Sequence, residues 1–417
     1  MNILFLTDNF PPEVNAPAHR TYEHCREWVK QGANVTVITC VPNFPQGEVY
    51  KGYKNKWRQE EQIDGIRVIR VWSYIAANER FIKRILDFVS FGVMAFFHGL
   101  FIKTDLIVAT SPQFFTALSG HFLSFFKRKP WIMEVRDLWP ESIKAVGIMK
   151  DKDWSYRFLQ WLERRMYRSA QQVVVVTDTF KSHISKMGIP KEKIKVVKNG
   201  VDLSKVPQSN QIKGTENLLP ELKNKFVVGY IGTHGMAHGL GFILNCATDE
   251  RLSEHIHFLF IGDGAQKKRL VKKYNSLQMT NVTMIDPIPK TEVYKYISLL
   301  DISLVNLKKS DTFKTVIPSK IFENAAMQKP ILLGVEGESK AIIEQYNAGL
   351  AFEPENQEDF IKQLSKLYHD EQLYQDCQKG CLQLAMDFDR INLAQKMLVY
   401  LKAALGYDTP VTQSSKS

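Results

Sequence analysis

Short apolar runs alternate with helix-like segments through the first half of the chain. Runs typical of strands buried in a parallel sheet occur at positions 2–7, 34–39, 66–71, 106–109, 131–135, 172–176 and 194–197. Between several of them, the hydrophobic spacing at 19–31, 112–126, 154–169 and 179–187 predicts helices. Strands that alternate with helices in this way form a doubly wound α/β sheet.

A second α/β series follows a polar, aperiodic segment at 203–225, which is typical of an interdomain linker. Its predicted strands occupy 226–231, 257–261, 282–285, 302–305, 330–333 and 349–352. We therefore expect two Rossmann-like domains, at 1–205 and 206–387, that face each other across a cleft. The helix at 388–405 is expected to pack back on the first domain, and 408–417 is expected to be a disordered polar tail.

One predicted helix, at 85–101, is apolar on nearly all sides. It is short for a bilayer span, and Asp87 and His98 interrupt it, so a buried helix is the first interpretation. The alternative is a helix that lies against a membrane, with Lys83 and Lys103 near its ends, together with Arg84, contacting lipid headgroups.

The composition favours an acidic partner. The 417 residues carry a formal net charge of +11, which suits a phosphorylated substrate or anionic lipid. Zinc-finger spacing, a basic heptad region and an aromatic RNA-reading signature are all missing from the sequence, so nucleic acid is not expected as a partner. Five cysteines without a C-x-x-C pair, histidines without ligand spacing and an N-terminus unlike a signal peptide predict a cytoplasmic protein without a metal site.

The stretch at 317–327 carries the strongest candidate chemistry. Pro318 is expected to open a helix with Ser319 and Lys320 in its first turn, where free N–H groups and the helix dipole favour a phosphate. Glu323, about one turn further on, offers a carboxylate to the two hydroxyl groups of a ribose. The combination predicts nucleotide binding. An ordinary capped helix with a solvated lysine and glutamate is the alternative.

Two glycine turns follow predicted strands of the second half. Residues 232–235 and 262–264 let backbone N–H groups approach a diphosphate, a base or a ribose. Tight strand–helix turns also need glycine without any ligand, so each turn alone is weak evidence. The candidate donor-binding residues at or beside these turns are Gly232, Thr233, His234, His238, Gly262, Asp263 and Gly264.

Polar residues and a tryptophan follow the predicted strand at 131–135. Arg136, Asp137, Trp139 and Glu141 are thereby delivered to the carboxyl edge of the first sheet. There, Trp139 can stack on a sugar, and Asp137 can accept a hydrogen bond from a sugar hydroxyl. The alternative is a structural Arg–Asp pair beneath a packed tryptophan.

Taken together, these motifs resemble the family-4 retaining glycosyltransferases of the GT-B fold over nearly the whole chain. The resemblance rests on the paired α/β halves and on the segments 199–202, 262–264 and 322–330. Within that family, the segments 11–13, 42–45, 136–142 and 318–320 resemble bacterial enzymes that transfer N-acetyl-L-fucosamine or fucose during O-antigen, capsule or colanic-acid assembly. Such enzymes usually act on undecaprenyl-diphosphate-linked saccharides at the cytoplasmic face of the membrane.

The resemblance implies roles for individual residues. Glu323 corresponds to the second glutamate of the family's paired-glutamate motif and is expected to bind the ribose, whereas the first glutamate falls at Thr315 and is missing. The family's arginine and lysine that contact the diphosphate fall at Thr233 and His238. Lys320 is therefore our candidate for the phosphate charge.

Further assignments follow from the same resemblance. Ile288 lies where backbone groups of the family meet the base, and Asp137 lies near its acceptor-side catalytic residue. The expected catalytic residues are Asp137, Lys320 and Glu323. The expected acceptor-binding residues are Glu13, Asn15, Arg136, Trp139 and Glu141.

The activity implied by the resemblance is retaining transfer from a UDP-sugar, without a divalent metal, by an enzyme peripheral to the inner face of the cell membrane. Two alternatives remain open on the sequence. One is a GT-B epimerase that acts on its nucleotide-sugar without transfer. The other is a non-catalytic nucleotide-sugar-binding protein, which the missing glutamate at Thr315 supports.

Overall fold

The computed structural model describes residues 1–44, 46–75, 81–111, 113–141, 153–207, 218–252 and 254–407. The chain divides into two compact units, one formed by Met1–Asn199 with Arg390–Ser417 and the other by Gly200–Asp389. The predicted tail at 408–417 and the middle of the predicted linker, 208–217, lie outside the described residues. Each unit is built on a largely parallel sheet with flanking helices, which confirms the predicted α/β class and its two Rossmann-like halves.

The first unit contains an eight-stranded sheet with the order β3-β4-β2-β1-β5-β6-β7-β8. Its strands are β1 (Asn2–Leu6), β2 (Asn34–Cys40), β3 (Arg58–Ile63), β4 (Ile66–Val71), β5 (Leu106–Ser111), β6 (Trp131–Val135), β7 (Gln172–Val175) and β8 (Ile194–Val196). All neighbours pair in parallel except β3 with β4. The apolar runs fill this sheet because strands covered on both faces need side chains that tolerate full burial.

The antiparallel edge strand β3 is absent from the sequence prediction. Its residues alternate between exposed and half-buried positions, and most of them are polar, so no apolar pattern marks it. It pairs antiparallel with β4 along its whole length. Charge pairs also cross the two strands, with Arg67 donating to Glu60 at 2.8 Å and Arg70 to Glu61 at 2.5 Å.

The helices before the end of the first sheet are α1 (Ala16–Lys30), α2 (Phe81–Leu100), α3 (Phe114–Lys127), α4 (Trp154–Ser169) and α5 (Asp178–Lys186). The apolar helix α2 buries one side, with Phe91 and Met94 in the core, and leaves Phe97 exposed on the other. The first interpretation, full burial, is therefore right for one face only. Across the described ranges, every helix falls short of the length and apolar character that crossing a bilayer requires.

The second unit contains a six-stranded parallel sheet with the order β11-β10-β9-β12-β13-β14. Its strands are β9 (Phe226–Ile231), β10 (Ile256–Ile261), β11 (Val282–Ile285), β12 (Ile302–Asn306), β13 (Ile331–Gly334) and β14 (Gly349–Ala351). Its helices are α6 (Leu240–Cys246), α7 (Lys267–Ser276), α8 (Val293–Ser298), α9 (Lys320–Ala326), α10 (Glu338–Tyr346), α11 (Gln357–His369) and α12 (Glu371–Asp387).

The last helix, α13 (Arg390–Ala404), belongs to the first unit and packs on α1. The indole Nε1 of Trp28 donates to the carbonyl of Ala394 at 2.9 Å. Buried Leu398 and Leu401 fill the same core as Phe5 of β1. Residues distant in sequence thus close one side of the first unit's core.

In each sheet the strand order reverses at one place, which we call the switch point. β9 lies between β10 and β12, and β1 lies between β2 and β5, so the chain reverses its direction of winding at both places. Loops that leave neighbouring strands at such a point diverge to opposite faces and open a crevice at the carboxyl ends. The functional residues should therefore be sought after β9 and β12 in the second unit and after β1 and β5 in the first.

Candidate active site

Two glycine turns meet at the carboxyl ends of β9 and β10. Gly262 follows β10 with a φ of +142°, and a Cβ built on it would lie 1.9 Å from the carbonyl oxygen of Gly232. A Cβ built on Gly264, at φ +153°, would lie 2.7 Å from the carbonyl oxygen of His234. The backbone contact and the positive φ both require glycine, so these two residues shape the turn whether or not a ligand contacts it.

Lys320 stands at the start of α9, a helix of seven residues. Ser319 takes the cap position, so Pro318 precedes the helix instead of opening its first turn; the carbonyl of Pro318 still accepts the N–H of Ile321 at 3.1 Å. The prediction placed the helix start slightly too early. The Ser319 side chain makes no capping hydrogen bond, although its backbone is already helical. Ser319 itself is exposed.

The Lys320 side chain runs inward beneath the glycine turn. Its Nζ lies 3.6 Å from the centre of the Tyr230 ring, and a Cβ on Gly232 would be 2.9 Å from that nitrogen. The ammonium nitrogen is buried and has no hydrogen-bond partner, although other atoms of the residue reach solvent. Burial lowers the Lys320 pKa to about 7, and the nearby Glu323 carboxylate opposes part of that shift.

Two histidines line the same turn. His234 is fully buried, and neither of its ring nitrogens has a hydrogen-bond partner. Burial, reinforced by the positive charge of Lys320, lowers the pKa of both His234 and His238 to about 4. Both imidazoles are therefore neutral at physiological pH, and each can donate a hydrogen bond to an anion without carrying a charge.

The structure brings most of the predicted donor residues into this one place. Glu323 is half-buried and electrostatically coupled to Lys320. Thr233 and Asp263 are exposed on the turns, and the Asp263 carboxylate accepts the N–H of Gly264 at 2.7 Å. The side chain of Ile288 packs on a small apolar cluster beside β9 and β10, and the predicted contact of its backbone with the base stays a prediction.

Two residues of this site escaped the sequence analysis. Tyr230, near the end of β9, forms the floor under Lys320 and donates its hydroxyl to the carbonyl of Thr233 at 2.8 Å. Asn306 ends β12, donates to the carbonyl of His238 at 2.8 Å, and keeps a buried Oδ1 without a partner. A polar residue directly after an apolar strand was the available signal for Asn306.

In the first unit, the switch point holds an aspartate that the sequence analysis also missed. The Asp8 carboxylate accepts hydrogen bonds from Asn9 and from Gln113, which follow β1 and β5. Burial raises the Asp8 pKa to about 6, and the charge of Arg136 works against that rise. Its position directly after the first strand was the signal available.

Two predicted acceptor residues hold loops in this structure. Glu13 is buried, and its Oε1 accepts the N–H groups of Asn43 and Phe44 at 2.8 and 2.9 Å. Asn15 caps α1 by accepting the N–H of Ala18 at 2.8 Å. Both side chains thus shape the loop around the carboxyl end of β1.

The residues after β6 each contact a different part of the first unit. The Trp139 ring packs on Phe114 with 5.1 Å between ring centres, and Glu141 lies 3.5 Å from His183. The carbonyl of Asp137 accepts the Ser111 hydroxyl at 3.3 Å. This arrangement keeps Asp137 at the carboxyl edge, next to the end of β5.

A buried charge network lies behind them. Arg20 of α1 donates to Glu134 at 3.0 Å and to the carbonyls of Val197 and Lys198 at 2.8 Å. The Nε of Arg136 is 4.0 Å from the second oxygen of Glu134. The glutamate at the end of β6 therefore ties α1 and the segment after β8 to the sheet.

No cluster of three or more histidine, cysteine, aspartate or glutamate side chains capable of holding a metal occurs among the residues that the structure describes. All five cysteines are buried thiols.

Comparison with known proteins places both halves of the chain. Residues 15–200 match a glycosyl transferase 4-like domain, and residues 217–381 match the glycosyl transferases group 1 domain. A putative colanic acid biosynthesis glycosyl transferase of Escherichia coli K12, WcaI, is 24% identical over 328 residues, which are 77% of this chain and 80% of that protein. The probable glycosyltransferase WbjE of Pseudomonas aeruginosa is 28% identical over 222 residues, 52% of this chain and 55% of that protein.

Solved structures show the same fold. The crystal structure of Anabaena HepE in complex with UDP superposes with a TM-score of 0.69 at 15% identity, covering 97% of this chain and 100% of HepE. HepE has also been crystallised with UDP-glucose. These likenesses confirm the GT-B fold that the sequence predicts.

Proposed function

The chain is a glycosyltransferase of the GT-B fold, and we propose that it moves a sugar from a UDP-sugar to a lipid-linked saccharide with retention of configuration. We assign the donor to the second unit and the acceptor to the first. One observation carries the donor assignment: the buried Lys320 ammonium has no acceptor in the protein, beside two neutral imidazoles and a glycine turn. A buried cation without a partner is costly, and a nucleotide diphosphate would compensate it.

A bound nucleotide-sugar would also give hydrogen-bond partners to the other unpartnered polar groups of this site. The unpartnered ring nitrogens of His234 lie beside Gly262, and Asn306 offers its Oδ1 to a hydroxyl or amide donor. Glu323, coupled to Lys320, is placed for the ribose hydroxyls. The UDP held by crystallised HepE supports uridine as the nucleoside.

In the reaction that we propose, the bond between the anomeric carbon and the β-phosphate oxygen breaks while an acceptor hydroxyl forms its bond on the same face. The proton of that hydroxyl passes to the departing β-phosphate. Lys320 and the N–H groups of the turn after β9 stabilise the negative charge that develops on the phosphate. Asp137, at the carboxyl edge of the first sheet, is our candidate to orient the acceptor hydroxyl.

The relatives favour a place in bacterial surface polysaccharide synthesis, since WcaI is described as a colanic acid enzyme. We propose an undecaprenyl-diphosphate-linked acceptor and a location on the inner face of the cell membrane. For the sugar we propose N-acetyl-L-fucosamine or a related residue. The epimerase and the non-catalytic protein are not favoured, because the matching domains and relatives are described as glycosyl transferases.

A donor screen tests the proposal. UDP-, GDP- and dTDP-sugars are added to the purified protein, and its melting temperature is followed, because ligands that bind the native state raise it. We expect a rise with UDP-sugars only, then transfer of radiolabel to a lipid-linked acceptor. A donor turned over at the same rate without acceptor would instead establish the epimerase.

The ribose assignment has its own test. Glu323→Gln should weaken UDP about tenfold, because one charged hydrogen-bond acceptor is lost, and it should weaken 2′-deoxy-UDP much less. Glu344→Gln, an exposed change on α10, is the control. Equal losses for both nucleotides would remove Glu323 from the ribose.

A further inference from the structure

The outer sides of α2, α3 and α4 carry large apolar side chains where solvated helices carry polar ones. Phe101 is 82% exposed, Trp154 79% and Phe125 73%. We call this surface the aromatic face; its members are Val93, Phe97, Phe101, Phe122, Phe125, Phe126, Trp154, Phe158 and Trp161. On α2 and α4 they recur at helical spacing, so each of these two helices has an apolar stripe that its own unit does not cover.

Ring contacts join the parts of this surface on α2 and α3, and a hydrogen bond links α3 to α4. Phe96 of α2 lies 5.5 Å from Phe97 and 5.6 Å from Phe126 of α3, measured between ring centres. The hydroxyl of Ser169 on α4 is 2.8 Å from the ring of His121 on α3. An apolar surface of this extent marks an interaction site on an otherwise soluble domain.

Cations outnumber acidic groups around the aromatic face, although α2 carries Asp87 and the exposed Asp153 precedes Trp154. On α3 and α4 the sequence places a single acidic residue, Glu163, and it is buried against Tyr167. The exposed cations on and around the same helices are Lys103, Arg128, Lys129, Arg157, Arg164, Arg165 and Arg168. Exposed rings surrounded by cations complement an anionic surface and would repel a second copy of the same face.

A pocket of about 430 Å³ opens within this surface, between α3 and α4. Its lining consists of His121, Trp161, Arg164, Arg165, Arg168 and Ser169. The guanidinium of Arg165 lies 5.8 Å from the centre of the Trp161 ring. Among the described residues, none of the three guanidinium groups forms a salt bridge with a carboxylate. Three free guanidinium groups around one pocket fit a phosphate.

We propose that the aromatic face docks on an anionic phospholipid bilayer, with its rings at headgroup level and a lipid phosphate held by Arg164, Arg165 and Arg168. Aromatic side chains prefer that level of the bilayer, and basic side chains beside them add attraction to anionic headgroups. The inference deepens the proposed function, because a membrane-held face would bring the enzyme to a lipid-linked acceptor.

Vesicle co-sedimentation tests the docking. The full chain is mixed with phosphatidylcholine vesicles, either pure or containing about 30 mol % phosphatidylglycerol. We expect it to sediment with the anionic vesicles only. Phe101→Gln with Phe125→Gln, and separately the triple change Arg164→Gln, Arg165→Gln and Arg168→Gln, should each weaken partitioning at least about tenfold.

The matched control is Lys340→Gln, Lys362→Gln and Lys379→Gln, which removes the same charge from exposed helix positions of the second unit. We expect it to sediment like the wild type. Equal loss in the control and in the arginine variant would show attraction by overall charge alone and would overturn the headgroup pocket. A wild type that stays in the supernatant would overturn the docking.

Fluorescence supplies a second readout that does not depend on a folding defect. Brominated lipid chains should quench part of the tryptophan emission, and Trp154→Phe with Trp161→Phe should remove most of that quenching. A dimer in solution that Phe101→Gln with Phe125→Gln dissociates would instead assign the face to a second copy. UDP binding by the same variants should be unchanged; its loss would concern the proposed function and not the docking.

Discussion

The carboxyl edges of the two sheets treat buried charge in opposite ways. In the first unit, the Arg20 guanidinium donates to Glu134 and to two backbone carbonyls, so the cation is neutralised inside the protein. In the second unit, Lys320 has only the face of Tyr230 beneath it and no acceptor for its ammonium protons. The first arrangement holds loops together, whereas the second is incomplete until an anion arrives.

The contrast separates structural charge from functional charge in this fold. A charge that the protein has already compensated contributes to stability, and removing its partner should unfold the unit. A charge left without a partner costs stability in the free protein, and that cost is recovered on binding. Stability and affinity measurements on the same variants can therefore test each side of the comparison.

The largest effect is expected in the first unit. Glu134→Gln leaves Arg20 buried without its counter-ion and should lower the free energy of unfolding by about 3 kcal/mol. Lys320→Met, which replaces an unpaired cation by an apolar side chain of similar length, should raise it by about 1 kcal/mol. Urea denaturation measures both. As a control, Glu60→Gln at an exposed ion pair should change the free energy of unfolding by less than about 0.5 kcal/mol. Equal losses of stability in the Glu134 and Lys320 variants would contradict the contrast between the two units.

The second largest effect is expected on the affinity of the second unit for UDP. Lys320→Met should weaken UDP by about 2–3 kcal/mol, roughly 30- to 150-fold, because a charge-assisted contact to phosphate is lost in a desolvated site. Uridine, which has no phosphate, should bind both proteins alike. Isothermal titration calorimetry gives both constants, with Lys340→Met as the exposed control. A parallel loss for uridine would mean that Lys320 supports the pocket without binding phosphate.

How far the sequence predicts this molecule depends on the kind of signal. Apolar runs placed nearly every parallel strand within a residue or two, because full burial leaves few other residue types possible. The polar edge strand β3 went unseen, since it pairs with β4 through its backbone and carries no apolar pattern. The start of α9 was shifted, since either Pro318 or Ser319 could open it on local rules.

The sequence suggested which residues lie together at the candidate site, but not how their side chains interact. The glycine turns and the 318–323 stretch could be located because strand ends and helix starts are local features. That Lys320 would lie under Gly232 on the ring of Tyr230 depends on how β9, β10 and α9 pack together. The same holds for Asp8, whose raised pKa comes from burial near Gln113 and cannot be read from its neighbours in sequence.

The pH dependence of UDP binding gives a further test of the unpaired Lys320. With a pKa of about 7 in the free protein, Lys320 is largely neutral above that pH, and bound diphosphate should return its proton. UDP affinity should then fall about tenfold per pH unit above about pH 7, and calorimetry in buffers of different ionisation enthalpy should show about one proton taken up. Lys320→Met should show neither effect.

The stability of the wild type should move in the opposite direction over the same range. The Lys320 pKa is lowered by folding, so the unfolded chain binds more protons than the native protein between about pH 7 and the ordinary lysine value near 10.4. The contribution of Lys320 to the free energy of unfolding therefore rises with pH across that window. The stabilisation of Lys320→Met over the wild type should shrink accordingly, and a constant difference would contradict a neutral lysine in the native state.

The smallest expected effect concerns Asp8 at the first unit's switch point, whose pKa burial raises to about 6. Because its pKa is higher in the native protein than in the unfolded chain, near 3.9, Asp8 contributes stability that is fully present below about pH 3.9. That stability is lost as the pH rises through about 6. Asp8→Asn should therefore melt slightly above the wild type at about pH 7.5 and equal to it at about pH 4. The amide keeps an acceptor for Gln113, so the loop geometry is preserved and the pH dependence of the difference isolates the charge. If the variant instead melts below the wild type at neutral pH, the ionised Asp8 is compensated as fully as Glu134, and Asp8 would not be a group set aside for the acceptor.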